Sequence, residues 1–338
     1  MRIEMEKNIK AIIYTEYGPP EVLHVKELET PTPKENEIRV RVHATAINFG
    51  DLIARKFNEI TPRKFSMPFL FWVPTKLTFG LKRPKKNILG SEFSGTVEKT
   101  GKNVKSFKEG DEVFGYRGIN MGANVEYLVV HEKSLVSLKP VNMSLDEACS
   151  IPYGGLTALN LLRKVNVQKG QKVLINGASG GIGAFAVQLA KHYGAEVTGV
   201  CSTPRVDFVR SLGADKVIDY SKENFTTNGE KYDLIVDITR KTSYSKCKNS
   251  LTSNGRYLLA SFKMRQLGQM IWTSMFSNKK VVCALSSENI EDLKFIKELV
   301  EKGKIKMFVD KRFPMNQAAE AHRYIEEGNK KGNVIITM

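Results

Sequence analysis

The stretch LINGASGGIGAFAVQLA, Leu174 to Ala190, most constrains the fold, because it runs from an apolar strand through a glycine-rich turn into an apolar helix. Glycines at 177 and 180 permit a tight turn with close approach of the backbone to an anion, and Gly183 lets the helix pack closely on the strand. The helix N-terminus then offers free N–H groups to a pyrophosphate. A purely structural turn is the alternative, but the surrounding strands and helix favour dinucleotide binding by Ser179, Gly180, Gly181, Ile182 and Gly183.

The end of the following strand, EVTGVCSTPR, indicates which dinucleotide the turn binds. An NAD site normally has an Asp or Glu here for the ribose 2′-hydroxyl, and this strand ends without one. The hydroxyls of Ser202 and Thr203 and the guanidinium of Arg205 suit a 2′-phosphate through charge-assisted hydrogen bonds. Tyr220, at the end of the third strand, is placed to cover the adenosine. NADP(H) is therefore the predicted cofactor, and the alternative for Arg205 is a helix-surface cation.

Apolar and polar residues alternate over the first third of the chain, between frequent Gly and Pro, which predicts the antiparallel strands of a barrel-like domain. From about Ser144 the pattern changes to helices that alternate with short apolar strands such as KVLIN and YDLIVDI. Continuous apolar strands of this kind are typically buried on both faces. The pattern therefore predicts an α/β fold with a parallel sheet between helices in the middle of the chain.

Residues 64–86, KFSMPFLFWVPTKLTFGLKRPKK, fit neither pattern, because aromatic residues and prolines are followed by a run of cations. We expect a loop whose aromatic side chains pack on the domain surface or line a cleft. Contact with a membrane or a partner protein is the less favoured alternative, because the prolines oppose a continuous amphipathic helix.

Charge and cysteine content narrow the class of protein further. The net charge of +16 is high, but lysines are interleaved with Asp and Glu and no arginine-rich arm is present, so no nucleic-acid partner is expected. The four cysteines are isolated, which excludes a Cys-x-x-Cys zinc lobe and suits a reducing compartment. The N-terminus lacks the apolar core of a signal peptide, and a cytoplasmic location is predicted.

Several further motifs, together with the glycine turn, resemble those of the medium-chain dehydrogenase/reductase superfamily. GPPEVLHVKELETPTP, VHATAINFGDLIAR, ILGSEFSGTVEKTGKNVKSFKEGDEVFG, GLTAL and FPMNQAAEAHRYIEEGNKKGNVIIT are similar to its zinc-free quinone oxidoreductase branch, the zeta-crystallin-like group. The resemblance covers nearly the whole chain. It implies a GroES-like β-barrel catalytic domain from residues 1–135 and 287–338, with a Rossmann NADP-binding domain from residues 136–286.

The same resemblance bears on metal binding. Zinc-dependent alcohol dehydrogenases of this superfamily bind the metal with two Cys and one His, and the matching positions here hold Asn48, Ser91 and Tyr153. A carboxamide, a hydroxyl and a phenol are not usual zinc ligands. The resemblance therefore predicts a protein with no zinc and no other metal site.

Candidates for the catalytic pocket also follow from the resemblance, since Asn48, Tyr153 and Asp51 match positions that face the nicotinamide in relatives. Asn48 is a candidate donor to the substrate oxygen, and Tyr153 is a candidate donor or proton source. Asp51 is equally well explained as a structural residue paired with Arg55, one helical turn away. Thr157 matches a residue that packs beside the nicotinamide or its phosphates in relatives. Positions that contact the nicotinamide end there match Ala260, Ser261, Gly332 and Asn333.

Without a Lewis acid, the substrate should be one that accepts hydride readily. The predicted function is NADPH-dependent, zinc-independent transfer of hydride to a quinone or an α,β-unsaturated carbonyl. Two alternatives stay open: a non-catalytic NADPH-binding sensor or nucleic-acid- or membrane-associated factor, and an enoyl-thioester reductase. By the same resemblance, a homodimer is expected, joined at the edge strand KKVVCAL, Lys279 to Leu285.

Overall fold

The computed structural model describes residues 8–65, 67–328 and 330–338. In its first part, the alternating sequence forms strands that pair antiparallel, and from Val40 to His43 buried valines alternate with exposed Arg41 and His43. These strands are β1 (Ile9–Ile13), β2 (His24–Leu28), β3 (Glu37–Ala46), β4 (Glu92–Thr100), β5 (Glu112–Tyr116), β6 (Tyr127–His131) and β7 (Val136–Leu138). Strand β3 pairs with both β4 and β6, and β5 joins β4 to β7, so this part has the predicted barrel-like pairing.

Two helices interrupt these strands, α1 (Phe49–Arg55) and α2 (Trp72–Phe79). Helix α2 lies in the segment for which a loop was expected. It tolerates Pro74 because this proline lies in the first helical turn, where its missing N–H would have no partner. The aromatic side chains of this segment divide, with Phe65 and Phe79 buried and Phe69 and Phe71 exposed.

The middle of the chain forms a six-stranded sheet in which all neighbouring strands are parallel. Its strands are β8 (Lys172–Asn176), β9 (Glu196–Cys201), β10 (Lys216–Asp219), β11 (Tyr232–Asp237), β12 (Leu251–Leu259) and β13 (Lys280–Cys283). Their spatial order is β10-β9-β8-β11-β12-β13, which is the order of a doubly wound Rossmann sheet. Strand β13 lies at one edge, as the sequence predicted for KKVVCAL, and dimer formation there stays a prediction.

Helices cover both faces of this sheet and bury its strands. This burial accounts for the continuous runs of Val, Ile and Leu in the strands. Close packing is possible where α4 crosses α5, because Gly154 and Gly155 lie against the Phe185 ring. The helices of this part are α3 (Leu145–Ala148), α4 (Pro152–Lys164), α5 (Gly181–His192), α6 (Val206–Ser211), α7 (Tyr244–Cys247), α8 (Met264–Phe276) and α9 (Ile290–Glu301).

The C-terminal part returns to the first sheet with β14 (Val309–Pro314), α10 (Ala318–Glu326) and β15 (Asn333–Thr337). Strand β15 pairs antiparallel with β3, which sets Ile335 opposite Ala46. The two parts meet slightly beyond the predicted domain boundaries at residues 135 and 287. Strand β7 belongs to the barrel part because it pairs with β5, and α9 belongs to the Rossmann part because its Leu293 and Ile296 pack into that core. An amphipathic pattern alone does not indicate which of two cores a helix covers.

Candidate active site

One cavity of about 970 Å³ lies between the two parts of the molecule, at the carboxyl ends of the parallel strands. Its walls come from both parts, with Asn48, Glu92 and Asn333 from the barrel side and Gly180 and Ala260 from the Rossmann side. The order of the sheet reverses between β8 and β11, and ligands of doubly wound sheets bind at this switch point.

The glycine turn forms one wall of the cavity, through Ser179, Gly180, Gly181 and Ile182. Gly177 has a φ of +94°, which side chains rarely allow. A Cβ at Gly183 would lie 2.1 Å from the carbonyl oxygen of Gly177, so this position requires glycine for packing and does not line the cavity. Because α5 begins here, its free N–H groups point to the cavity and suit an anion.

A buried hydrogen-bond network supports the switch point directly behind the turn. Asn176 Nδ2 donates to Asp237 Oδ1 at 2.9 Å, and the Tyr257 hydroxyl donates to Asp237 Oδ2 at 2.7 Å. These bonds join the ends of β8, β11 and β12 and hold the cavity wall in one geometry.

Beyond β9, the structure separates the residues predicted to bind the 2′-phosphate. Ser202 and Tyr220 line the cavity, whereas Thr203 and Arg205 do not. The Thr203 hydroxyl donates to Asp219 Oδ2 at 2.6 Å, and Arg205 Nη2 donates to the carbonyl oxygen of Gly328 at 2.9 Å. The inference that this end lacks a carboxylate is therefore wrong, because Asp219 from the neighbouring strand β10 stands opposite Cys201.

Cations that the sequence interpretation missed follow β11: Arg240 and Lys241 in the next loop and Lys246 in α7 all line the cavity. Lys241 Nζ lies 5.8 Å from the centre of the Tyr220 ring, so this ammonium faces the region predicted for the adenosine. Their signal in the sequence is the run TRKTSYSKCK, which follows the apolar stretch YDLIVDI at the switch point.

At the opposite end of the cavity, α1 and β4 bring Asn48 and Glu92 together with Tyr153. Asn48 Nδ2 donates to Ser91 Oγ at 2.7 Å and to Glu92 Oε2 at 3.1 Å, while the backbone N–H of Tyr153 donates to Glu92 Oε1 at 2.8 Å. Asn48, Glu92 and Tyr153 all line the cavity. Since both amide hydrogens of Asn48 have partners, Asn48 positions Glu92 and has no hydrogen left for a substrate oxygen.

Glu92 was not anticipated, and its environment is unusual for a carboxyl group. Burial raises the pKa of Glu92 to about 8, the nearby Asp51 acts in the same direction, and the two N–H donors and Lys330 oppose the rise. Burial likewise raises the pKa of Tyr153 to about 12 and lowers the pKa of Lys330. At neutral pH this end of the cavity therefore has a protonated carboxyl and a neutral phenol.

Asp51 lies behind this site and does not line the cavity. Its carboxylate caps α1 by accepting from the Asn48 backbone N–H at 3.0 Å, and it accepts from the Gly90 N–H at 2.9 Å. Burial raises its pKa to about 6. The expected pairing with Arg55 is wrong, because Arg55 Nη2 lies 2.5 Å from Glu326 Oε1 of α10. These contacts support the structural alternative for Asp51.

Of the remaining residues predicted to contact the cofactor, some line the cavity and others do not. Ala260, Ser261 and Asn333 line the cavity, whereas Gly332 lines a small adjoining cleft together with Asn333, Ser179 and Gly180. Thr157 lies within α4 and outside both linings.

The donor set at the positions matching zinc ligands does not fit a catalytic zinc ion. Asn48 and Ser91 are hydrogen-bonded to each other, and Tyr153 presents a phenol. In the part of the chain that the structure describes, no group of three or more His, Cys, Asp or Glu side chains is arranged to hold a metal. Zinc ions in proteins are bound by thiolate, imidazole and carboxylate ligands.

A Rossmann sheet, a barrel and a shared cleft at a helix N-terminus define a two-domain, nucleotide-binding oxidoreductase fold. Two family models match the chain, one described as an alcohol dehydrogenase GroES-like domain over residues 34–140 and one as a zinc-binding dehydrogenase over residues 212–336. The chain belongs to the medium-chain dehydrogenase/reductase superfamily, in its quinone oxidoreductase-like branch, and is an oxidoreductase.

Two relatives illustrate this membership. The chloroplast envelope quinone oxidoreductase homolog of Arabidopsis thaliana is 30% identical, over 98% of this chain and 98% of the relative. The chloroplastic NADPH-dependent alkenal/one oxidoreductase of the same plant is 30% identical, over 98% and 80%. Among solved structures, the quinone oxidoreductase from Coxiella burnetii superposes with a TM-score of 0.82 at 28% identity, over 98% of this chain and 100% of that one.

The names of both plant relatives refer to the chloroplast, so the cytoplasmic location of this chain stays a prediction. Among the described residues, no helix has both the length and the apolarity needed to cross a lipid bilayer.

Proposed function

We propose that this chain is an NADPH-dependent reductase that transfers hydride to a quinone or an α,β-unsaturated carbonyl compound without zinc. One observation carries the proposal: a single cavity runs from the glycine turn to Glu92 and Tyr153, two acidic groups whose pKa values burial raises. The NADPH-dependent alkenal/one oxidoreductase among the relatives supports the same cofactor and substrate class.

The cavity residues fit NADP(H) along its length. The N–H groups of Gly181 and Ile182 would bind the pyrophosphate at the start of α5. Ser202 and Lys241 would hold the 2′-phosphate, with Tyr220 against the adenine, while Thr203 and Arg205 stay predictions for the same group. When bound, the cofactor supplies a hydride from its nicotinamide ring.

The acceptor gains a hydride and a proton, so the chain must supply a proton donor. The Tyr153 hydroxyl would donate a hydrogen bond to the carbonyl oxygen, where negative charge develops as hydride arrives at carbon. Glu92 holds a transferable proton that Asn48 keeps at the cavity wall. The hydride and the Glu92 proton together convert a quinone into a hydroquinone, with the proton on oxygen. In an enone the hydride goes to the β-carbon and the proton to the α-carbon, which gives a saturated ketone.

The absence of zinc from the proposal follows from the donor chemistry. Alcohol oxidation by zinc members needs a Lewis acid that stabilises an alkoxide. Asn48, Ser91 and Tyr153 do not provide such a site, whereas a conjugated acceptor spreads the incoming charge over its own oxygen. Hydrogen-bond donors are then sufficient for this chemistry.

The test measures NADPH consumption by the pure protein with a quinone, an alkenal and, in reverse, a simple alcohol with NADP⁺. We expect turnover with the conjugated acceptors that a chelator leaves unchanged, and deuterium from 4-deuterated NADPH at the β-carbon of the enone product. Activity that a chelator abolishes and zinc restores would overturn the proposal. Tight NADPH binding with no turnover on any acceptor would instead support a non-catalytic binding protein.

A further inference from the structure

The segment around α2 exposes more apolar side chains than the water-exposed surface of a globular protein normally does. Leu70 is 62% exposed, and Phe69 57%. The other exposed apolar residues here are Phe71, Val73, Leu77 and Leu81. Only part of the segment packs inward, as the stacking of Phe57 on Phe79 shows. Contiguous exposed patches of this kind commonly mark an interaction site.

Helix α8 presents a second set of exposed apolar side chains. Its inner face packs Leu267 and Met270 against the Rossmann core and buries Thr273. The outer face carries apolar residues at helical spacing: Met264, Ile271, Trp272, Met275 and Phe276. A helix that is apolar on both faces and lies at the surface is expected to have a partner on its outer face.

The stretches of chain that lead into these two sets are in contact. The Lys263 ammonium, just before α8, donates to the backbone carbonyl oxygen of Arg63. Met67 packs against the same core cluster as Leu267 and Met270. We therefore treat the exposed apolar residues of 69–81 and of α8 as one surface, the two-helix surface.

The positive excess of the chain lies in two segments, one of which contains α2 and the other α8. Residues 60–91 contain seven Lys or Arg, residues 238–287 contain nine, and neither segment contains an Asp or Glu. Since the chain has 52 Lys and Arg against 36 Asp and Glu, these two segments carry the whole excess of 16. The second segment extends well beyond α8, because its Arg240, Lys241 and Lys246 line the cavity, whereas Lys263 and Arg265 lie at the start of α8. The expected interleaving of lysines with acids does not hold within these two segments.

Cations lie directly beside the exposed apolar side chains. Arg63, Lys64, Lys82, Arg83 and Lys85 flank α2 and are exposed. Arg265 is exposed on the first turn of α8. Apolar and aromatic side chains surrounded by cations match the acyl chains and the phosphate headgroups of an anionic lipid surface.

We propose that the two-helix surface docks this protein on anionic membranes, as a peripheral protein. Charge complementarity favours this occupant over a second copy of the chain, because a two-fold interface would set the acid-free segments of both copies against each other. Nucleic acid would pair with the cations but would leave the exposed Leu70, Ile271 and Met275 without apolar partners.

The test is flotation of the full chain with vesicles of phosphatidylcholine alone or mixed with phosphatidylserine. We expect binding only to the mixed vesicles, weakened by salt. Leu70→Ser with Phe71→Ser, and separately Trp272→Ser with Phe276→Ser, should each weaken it about tenfold. Reversal of exposed charge with Lys82→Glu, Arg83→Glu and Lys85→Glu should weaken it about tenfold or more, without touching the core.

Val141→Ser is the matched control, because Val141 is 85% exposed but lies outside both segments, and it should bind vesicles like the unaltered protein. Thermal unfolding and NADPH binding check that each variant is folded. Failure of the full chain to bind mixed vesicles would overturn the proposal. Two other results would also overturn it. One is a variant of the two-helix surface that converts a dimer into a monomer when neither it nor the unaltered protein binds vesicles. The other is a variant of this surface that loses only binding to RNA.

Discussion

Asn48 Nδ2 lies 3.1 Å from Glu92 Oε2, and this bond holds a buried carboxyl group at the wall of the cavity. The same amide caps α1, since Asn48 Oδ1 accepts from the Gly50 N–H at 2.8 Å. Asn48 therefore connects the start of α1 to the end of the cavity that contains Glu92 and Tyr153. Asn48 was expected to donate a hydrogen bond to the substrate. In this geometry it is instead a positioning residue for Glu92.

Glu92→Gln should change the pH profile of turnover. Because burial raises the pKa of Glu92 to about 8, the unaltered enzyme keeps its proton at neutral pH and loses it above that value. The kcat of the unaltered enzyme should then fall as the pH rises through about 8, while the variant shows a low kcat without that limb. Steady-state rates across this range provide the measurement. An identical alkaline limb in the variant would assign the proton to another group.

The free energy of unfolding should also depend on pH, because Glu92 ionises at different pH values in the folded and unfolded chain. The pKa of Glu92 rises from its ordinary 4.5 to about 8 on folding, so the folded chain holds a proton that the unfolded chain releases. The unaltered protein therefore loses stability as the pH rises between these values. Relative to it, Glu92→Gln should gain about 1 kcal/mol or more in free energy of unfolding over this range, measured in urea. A difference that does not vary with pH would contradict the shift.

Tyr153→Phe should lower kcat by about ten- to a hundredfold and leave the KM for NADPH nearly unchanged, because it removes only the proposed donor to the acceptor oxygen. Tyr116→Phe is the matched control. The Tyr116 ring centre lies 6.3 Å from that of Tyr153, and Tyr116 does not line the cavity. Equal losses in the two variants would indicate a packing effect.

Lys241→Ala should raise the KM for NADPH about tenfold and leave that for NADH nearly unchanged, because Lys241 faces Tyr220 at the cavity wall. Arg205→Ala should have the smaller effect, since its guanidinium donates to Gly328 outside the lining. Steady-state kinetics with both cofactors compare the two variants. A larger selective loss for Arg205→Ala would restore the role predicted from the sequence.

Asp51→Asn should reduce stability by about 1–3 kcal/mol, because its amide cannot accept from both the Asn48 and the Gly90 N–H groups with equal geometry. The measurement is urea unfolding at neutral pH, with NADPH affinity determined on the folded fraction. Unchanged stability with a large loss of turnover would instead support the catalytic alternative for Asp51.

Local sequence determined the nucleotide-binding half of this protein. Strand, glycine turn and helix follow one another within seventeen residues, and their geometry depends on neighbouring φ angles and on side-chain volume at Gly177 and Gly183. Of the turn residues predicted to bind the dinucleotide, Ser179, Gly180, Gly181 and Ile182 line the cavity, and Gly183 does not. Apolar periodicity likewise predicted the parallel sheet and the antiparallel strands, because each pattern repeats over a few residues.

Only the tertiary structure decided which distant groups meet. The register of β10 against β9 brings Asp219 beside Thr203, and the pairing of α1 with α10 joins Arg55 to Glu326, 271 residues away. Residue order does not encode such distances, because strand register and helix crossing set them after the chain has packed. For the same reason, packing decided that Glu92 is buried at the cavity and that α2 and α8 leave apolar side chains exposed.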